Sequence, residues 1–141
     1  MINEKIINYL DENEEFKLTP EYQERFRKVL LDYGVNPNSA LFDLMTTYAG
    51  EFNGKEGFII NVADDLADYN ASVTKQLLDN ERVSPNYISL FNFEFDDYLL
   101  YNKNDDSVVL IEGANTQKLL EGNFDKKWDN FEFFLEDFFE L

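Results

Sequence analysis

Apolar residues along this chain recur first at helical and then at strand spacing. Ile6, Ile7 and Leu10 fall on one side of a short helix predicted over residues 3–12. Thr19 stands where a helix N-cap belongs, and Pro20 follows at the first helical position, where its missing N–H costs nothing. Tyr22, Phe26, Val29, Leu30 and Tyr33 continue at helical spacing. Gly34 suits the position just past the helix end, which favours the left-handed region. Asn36-Pro37 opens the next predicted helix in the same way. Leu41, Leu44, Met45 and Tyr48 form its apolar face, and Gly50 ends it.

The pattern then changes. Asn53-Gly54 signals a turn, and Gly57 to Val62 reads as a short strand. Asp64 or Asp65 caps a helix carrying Leu66, Tyr69, Val73 and Leu77, and Pro85 breaks the chain. Three strand-like runs follow: Tyr87 to Phe93, Tyr98 to Tyr101, and Ser107 to Ile111. The last two flank the polar stretch Asn102-Lys103-Asn104-Asp105-Asp106, a hairpin turn by composition.

Near the end, Asp129 and Glu132 have capping-box spacing, with Trp128 and Phe133 placed as a hydrophobic staple. Trp128, Phe131, Leu135 and Phe138 align along one helical face. A helix that aromatic must bury the face, and the sheet is its natural partner. Helices, then mainly antiparallel strands, then a closing helix make an α+β layout, a sheet flanked by helices. No repeat or composition break divides residues 1–141, so a single domain is expected.

Composition narrows the function. The chain has 29 Asp+Glu against 12 Lys+Arg, a formal net charge of -17. Phosphate-backbone binding and anionic membranes are disfavoured, so neither nucleic acid nor membrane is an expected partner. A basic protein is the expected one, because opposite fields steer association. Aromatic residues make up 16% of the chain, too many for disorder despite the charge. With no Cys and no His, disulfides, thiol chemistry, zinc fingers and His-ligated metals are excluded, and no cofactor is expected. The start lacks a basic segment followed by an apolar run, and Val108 to Ile111 is far short of the ~20 residues of a membrane span. A cytoplasmic location is expected.

Candidate chemistry fails on spacing. Gly50-Glu51-Phe52-Asn53-Gly54-Lys55 is one residue short of a phosphate-binding loop, and Glu56 stands where a hydroxyl should meet magnesium. Asn102, Asn104, Asp106 and Glu112 approach a calcium loop, but Ser107 replaces the turn glycine and the last Glu comes one residue early. The carboxylate pairs Asp64-Asp65, Asp96-Asp97, Asp105-Asp106 and Glu136-Asp137 are expected by chance in so acidic a chain. Ser72, Ser84, Ser89 and Ser107 lack a nucleophile-elbow context. No catalytic residue is assigned, and enzyme activity is not expected.

Residues 37–141, read in order, resemble the SUKH superfamily, which contains Smi/Knr cell-wall-assembly-regulator-like domains and bacterial immunity proteins. The likeness rests on the helix Leu41 to Tyr48 ending at Gly50, and on Tyr87-Ile88-Ser89-Leu90 after a proline. It continues through Tyr98-Leu99-Leu100-Tyr101-Asn102 with Val108-Val109, and through the closing Trp128 to Leu135. Residues 1–36 form a helical part that matches loosely. The family's loop glycines are replaced here by Phe93-Glu94-Phe95-Asp96-Asp97.

The resemblance implies a non-enzymatic protein-binding domain, with an immunity protein that neutralises a cognate toxin, often a nuclease, as the leading role. A polymorphic or contact-dependent toxin system would supply that partner. A regulatory or scaffold domain of the same fold is the alternative, and a small-molecule binder or enzyme the third. Glu94, Asp96, Asp97, Asp105 and Asp106 are the candidate partner-binding residues. They bracket one hairpin, so a partner touching both ends would span roughly 15 Å for a strand of about five residues.

Overall fold

The computed structural model describes residues 2–13, 16–55, 57–92, 94 and 96–141. Three helices come first: α1 (Glu4–Glu12), α2 (Pro20–Asp32) and α3 (Ala40–Thr47). A small hairpin, β1 (Phe52–Gly54) and β2 (Gly57–Ile59), leads into α4 (Val62–Ala67) and α5 (Val73–Glu81). Then come β3 (Tyr87–Ser89), β4 (Tyr98–Asn102), β5 (Val108–Ile111), α6 (Thr116–Leu120), β6 (Lys126–Trp128) and α7 (Phe131–Phe138). Strands β3-β4-β5-β6 make one antiparallel sheet in chain order, and the fold is α+β.

The period of two along the strands divides the core. Leu99 and Tyr101 of β4 and Val108 and Leu110 of β5 face α1, α2, α3, α4 and α7. Leu100, Val109 and Ile111 face Val73 and Leu77 of α5 and Leu119 of α6. Burial on both faces is why β5 reads as a continuous apolar run rather than an alternating one. Phe131, Phe134, Leu135 and Phe138 of α7 are fully buried in the larger core, as their spacing predicts.

Helix α2 closes as expected. Gly34, at φ 86°, donates its amide to Leu31, and Val35 donates to Leu30, so both last-turn carbonyls are met. Thr19 is the N-cap residue but its side chain accepts no amide, and Tyr22 is half exposed rather than core.

Several boundaries differ from the sequence expectation, among them the strand runs from Gly57 and from Tyr87, which end at Ile59 and Ser89. Helix α3 begins after Ser39, not Asn36, because the Asn36 side chain takes the Asn38 amide at 2.9 Å and folds a turn. Ser39 Oγ then accepts from Phe42 N at 3.2 Å and serves as the cap. Asn53-Gly54 is strand rather than turn, with Asn53 opposite Phe58 and Gly54 opposite Gly57. Lys55 stands in a turn after β1, and Glu56, like Phe93 and Phe95, lies outside the described residues.

The predicted helix from Asp64 through Leu77 is two helices. Asn61 caps the first, accepting from Ala63 N and Asp64 N at 3.0 and 3.3 Å. The chain leaves it at Asp68, turns once in a 3-10 helix over Tyr69–Ala71, and restarts at Val73 under Ser72, which accepts from Lys75 N. That break carries the chain across the sheet, from the core holding Leu66 to the one holding Val73 and Leu77.

At α7 the cap is Asn130, which accepts from Phe133 N at 2.9 Å, and not Asp129. Starting the helix one residue later turns Phe133 outward, 56% exposed, so Trp128 packs edge-on against Phe134 at 5.0 Å instead.

Candidate functional site

The five candidate acids sit at the two ends of β4. Glu94 and Asp96 are exposed, and the Asp97 carboxylate accepts from Gly113 N at 2.9 Å. At the opposite end, Asp105 Oδ1 accepts from both Ser107 N and Ser107 Oγ, at 3.0 and 2.6 Å. Burial pushes the Asp105 carboxyl up, but the Ser107 donors outweigh it and hold the group below the usual carboxylate range. Asp106 is at φ 66°, takes the Tyr101 hydroxyl at 2.6 Å and faces Phe131 N at 3.4 Å. It stitches the β4–β5 turn to the start of α7. The acids therefore form two groups separated by the strand, and the turn group is already committed to internal donors.

The other carboxylate pairs also have separate jobs. Asp65 accepts from Val73 N at 3.1 Å and so braces the first turn of α5 from α4, while Asp64 is exposed. Burial raises the Asp65 carboxyl above its ordinary value, with the Val73 and Thr74 amides pulling the other way. These two, with Glu51, Asn61 and Asn92, line an open cleft of about 190 Å³. Asn61 in that cleft is fully used, since its amide donates to Met45 O and Tyr48 O while its oxygen caps α4. Glu136 accepts from Asn3, and Asp137 from Lys55 and Trp128.

The near-motifs resolve into ordinary structure. Lys55 lies at the end of β1 with its ammonium 2.7 Å from Asp137, not over a phosphate cradle. In the calcium-like segment, Asn102 Oδ1 accepts from Asn104 N, and Glu112 lies beyond β5, the far end of the strand from Asp106. Among the described residues no group of three or more acids could hold a metal ion. Nor is any helix long and apolar enough to cross a membrane.

A second surface carries no motif, and in the sequence its residues show only helical spacing. Along the seam between α2 and α4 lie two open clefts, one of about 300 Å³ holding Tyr22 and Phe26, the other of about 340 Å³ holding Val29, Tyr33 and Tyr69. Tyr33 and Tyr69 are tilted against each other at 5.6 Å. Lys103 Nζ stands 4.4 Å from the Tyr33 ring centre and donates to Tyr33 O at 2.7 Å. The available signal was the spacing of residues 22, 26, 29 and 33, which is one stripe on α2. Spacing alone does not say that the stripe outruns its packing partner.

No family model matches the chain, and no curated protein or solved structure does either.

Proposed function

We propose that this protein is a non-catalytic binding domain that neutralises a basic protein, in the manner of an immunity protein facing a cognate toxin. The observation that carries the reading is the charge of -17 on a folded α+β scaffold. Lys5, Lys17, Lys55, Lys75 and Lys118 are already ion-paired with acids of the same chain. What remains for a partner is overwhelmingly carboxylate. A nuclease needs a positive surface for its phosphate substrate, and an acidic protein can cover that surface and reach it quickly. The resemblance of residues 37–141 to the SUKH superfamily supports the same role.

The test is co-expression with the product of the neighbouring upstream gene. Rescue of growth together with co-purification of the two proteins is the expected result. A neighbouring product that is toxic and is neither bound nor neutralised would overturn the reading.

A further inference from the structure

We infer that the seam between α2 and α4 is the docking groove for a cationic amphipathic helix of the partner. The inference rests on the reading of a basic protein partner and adds the place and form of recognition. Tyr22 is 50% and Tyr69 36% exposed, and Val29 and Tyr33 are half-buried between them. Aromatic side chains left open beside clefts are what protein interfaces use as anchors.

The geometry selects a helix. Tyr22, Phe26, Val29 and Tyr33 repeat at 4, 3 and 4 residues along one face of α2. Tyr22 and Tyr33 are eleven residues apart, which at ~1.5 Å per residue is roughly 16 Å. A helix laid along the groove presents anchors at the same repeat, so it can fill both clefts at once.

The charge selects a cationic occupant. Asp64 lines the first cleft and Asp32 the second, each beside an aromatic ring. Lys17, the base at the first cleft, is drawn to Asp11 at 3.7 Å. A carboxylate next to a tyrosine face suits a lysine or arginine on the docking helix, which gains both ion pairing and cation–π attraction. Lys103 already makes that contact with Tyr33 within this chain, so the ring left for a docking cation at the second cleft is that of Tyr69. A second copy is the wrong occupant electrostatically, since it too carries -17.

The experiment uses the full chain and a fluorescent Leu/Lys amphipathic peptide of about 14 residues, long enough to cover both clefts. Binding is read by anisotropy at physiological salt. Tyr22→Ser and Tyr69→Ser, each shown folded by its thermal transition, should weaken binding about tenfold or more. Phe133→Ser, exposed on α7 and lining neither cleft, should bind as wild type. Equal affinity in all variants would overturn the groove and leave only diffuse charge attraction. A dimer of the wild type that Tyr22→Ser dissolves would also overturn it, in favour of a second copy.

The toxin assay separates the two levels. Full neutralisation by both tyrosine variants overturns the groove while the functional reading stands. Groove-specific peptide binding without any neutralisation by wild type overturns the functional reading while the groove stands.

Discussion

Gly54 lies directly beneath Phe138. A Cβ built on Gly54 would stand 2.5 Å from two ring carbons of Phe138 and 2.5 Å from its carbonyl oxygen. The next residue, Lys55, donates its amide to that same carbonyl at 2.8 Å. The β1–β2 hairpin is thereby fixed to the last turn of α7, and only a residue without a side chain permits the approach. Gly54→Ala should destabilise the fold by about 1–3 kcal/mol through overpacking, read as a lowered denaturation midpoint. Gly122, at φ 70° with nothing within 4 Å of an added Cβ, supplies the contrast. Gly122→Ala should cost about 1–2 kcal/mol from the backbone alone, with no change in the near-UV signal of the aromatic core.

Asp106 and Asp96 carry the same charge and should respond differently. Asp106 accepts the hydroxyl of Tyr101, whose side chain is buried. Burial first, and then the Asp106 carboxylate, keep that hydroxyl protonated well above its ordinary range. Asp106→Ala removes the acceptor and puts alanine at a left-handed φ, so a loss of about 1–3 kcal/mol is expected in urea unfolding. Asp96→Lys changes an exposed residue and should stay within about 0.5 kcal/mol of wild type.

The closing helix tests the core directly. Phe134 and Leu135 are fully buried, so Phe134→Ala or Leu135→Ala should cost about 2–5 kcal/mol in equilibrium unfolding. An effect below about 0.5 kcal/mol would mean that α7 does not pack as described.

Element type was legible in the sequence wherever the apolar period was long and unambiguous. α1, α2, β4, β5 and α7 follow from spacing, and the α+β class from their order. Caps were read less well, because several side chains able to cap stand side by side. Asp129 and Asn130 both qualify, and which of them takes the Phe133 amide depends on how α7 docks. The break between α4 and α5 was hidden for a similar reason. Leu66 and Val73 are seven residues apart, about two helical turns, but each faces a different side of the sheet. Of the surface, the sequence marked the acids at the ends of β4. It did not reveal that Asp105 and Asp106 spend their oxygens on Ser107 and Tyr101. Hydrogen bonds made on folding leave no trace in composition.

Asp65 gives the fold a pH dependence of opposite sign to that of Asp105 and Asp137. Its carboxyl is raised by burial, so the protonated form is favoured on folding. Its contribution is fully present below the unfolded value of ~3.9 and is lost as pH rises through the raised folded value. Asp65→Asn keeps an acceptor for Val73 N without the buried charge. The variant should therefore gain stability over wild type at pH 7 and lose that advantage at pH 4. Asp137 is held low by the Lys55 ammonium, with Trp128 Nε1 helping against partial burial. Its contribution is present above the unfolded value and disappears as pH falls through the depressed one. Asp137→Asn should accordingly cost stability at pH 7 and less at pH 2, by an amount limited by solvent screening. Denaturation midpoints at the three pH values check both signs.

The acids at the ends of β4 should govern how fast a basic partner arrives. Asp96 and Asp97 stand at the start of β4 and Asp105 and Asp106 at its end, so the sheet presents negative charge at both ends of one strand. Charges that steer an encounter act mainly on the association rate and are screened over about 8 Å at physiological ionic strength. In a complex with a basic partner, reversing Asp96 and Asp97 to Lys should lower the association rate most at low salt and flatten its dependence on salt. The dissociation rate should change little, because rim charges add little to a formed interface. Asp97→Lys alone also removes the acceptor of Gly113 N, so its unfolding midpoint must be measured beside its kinetics. The groove variants Tyr22→Ser and Tyr69→Ser should show the opposite pattern, a faster dissociation with a nearly unchanged association rate. If reversal of the β4 acids leaves association untouched at low and at physiological salt, those residues take no part in recognition.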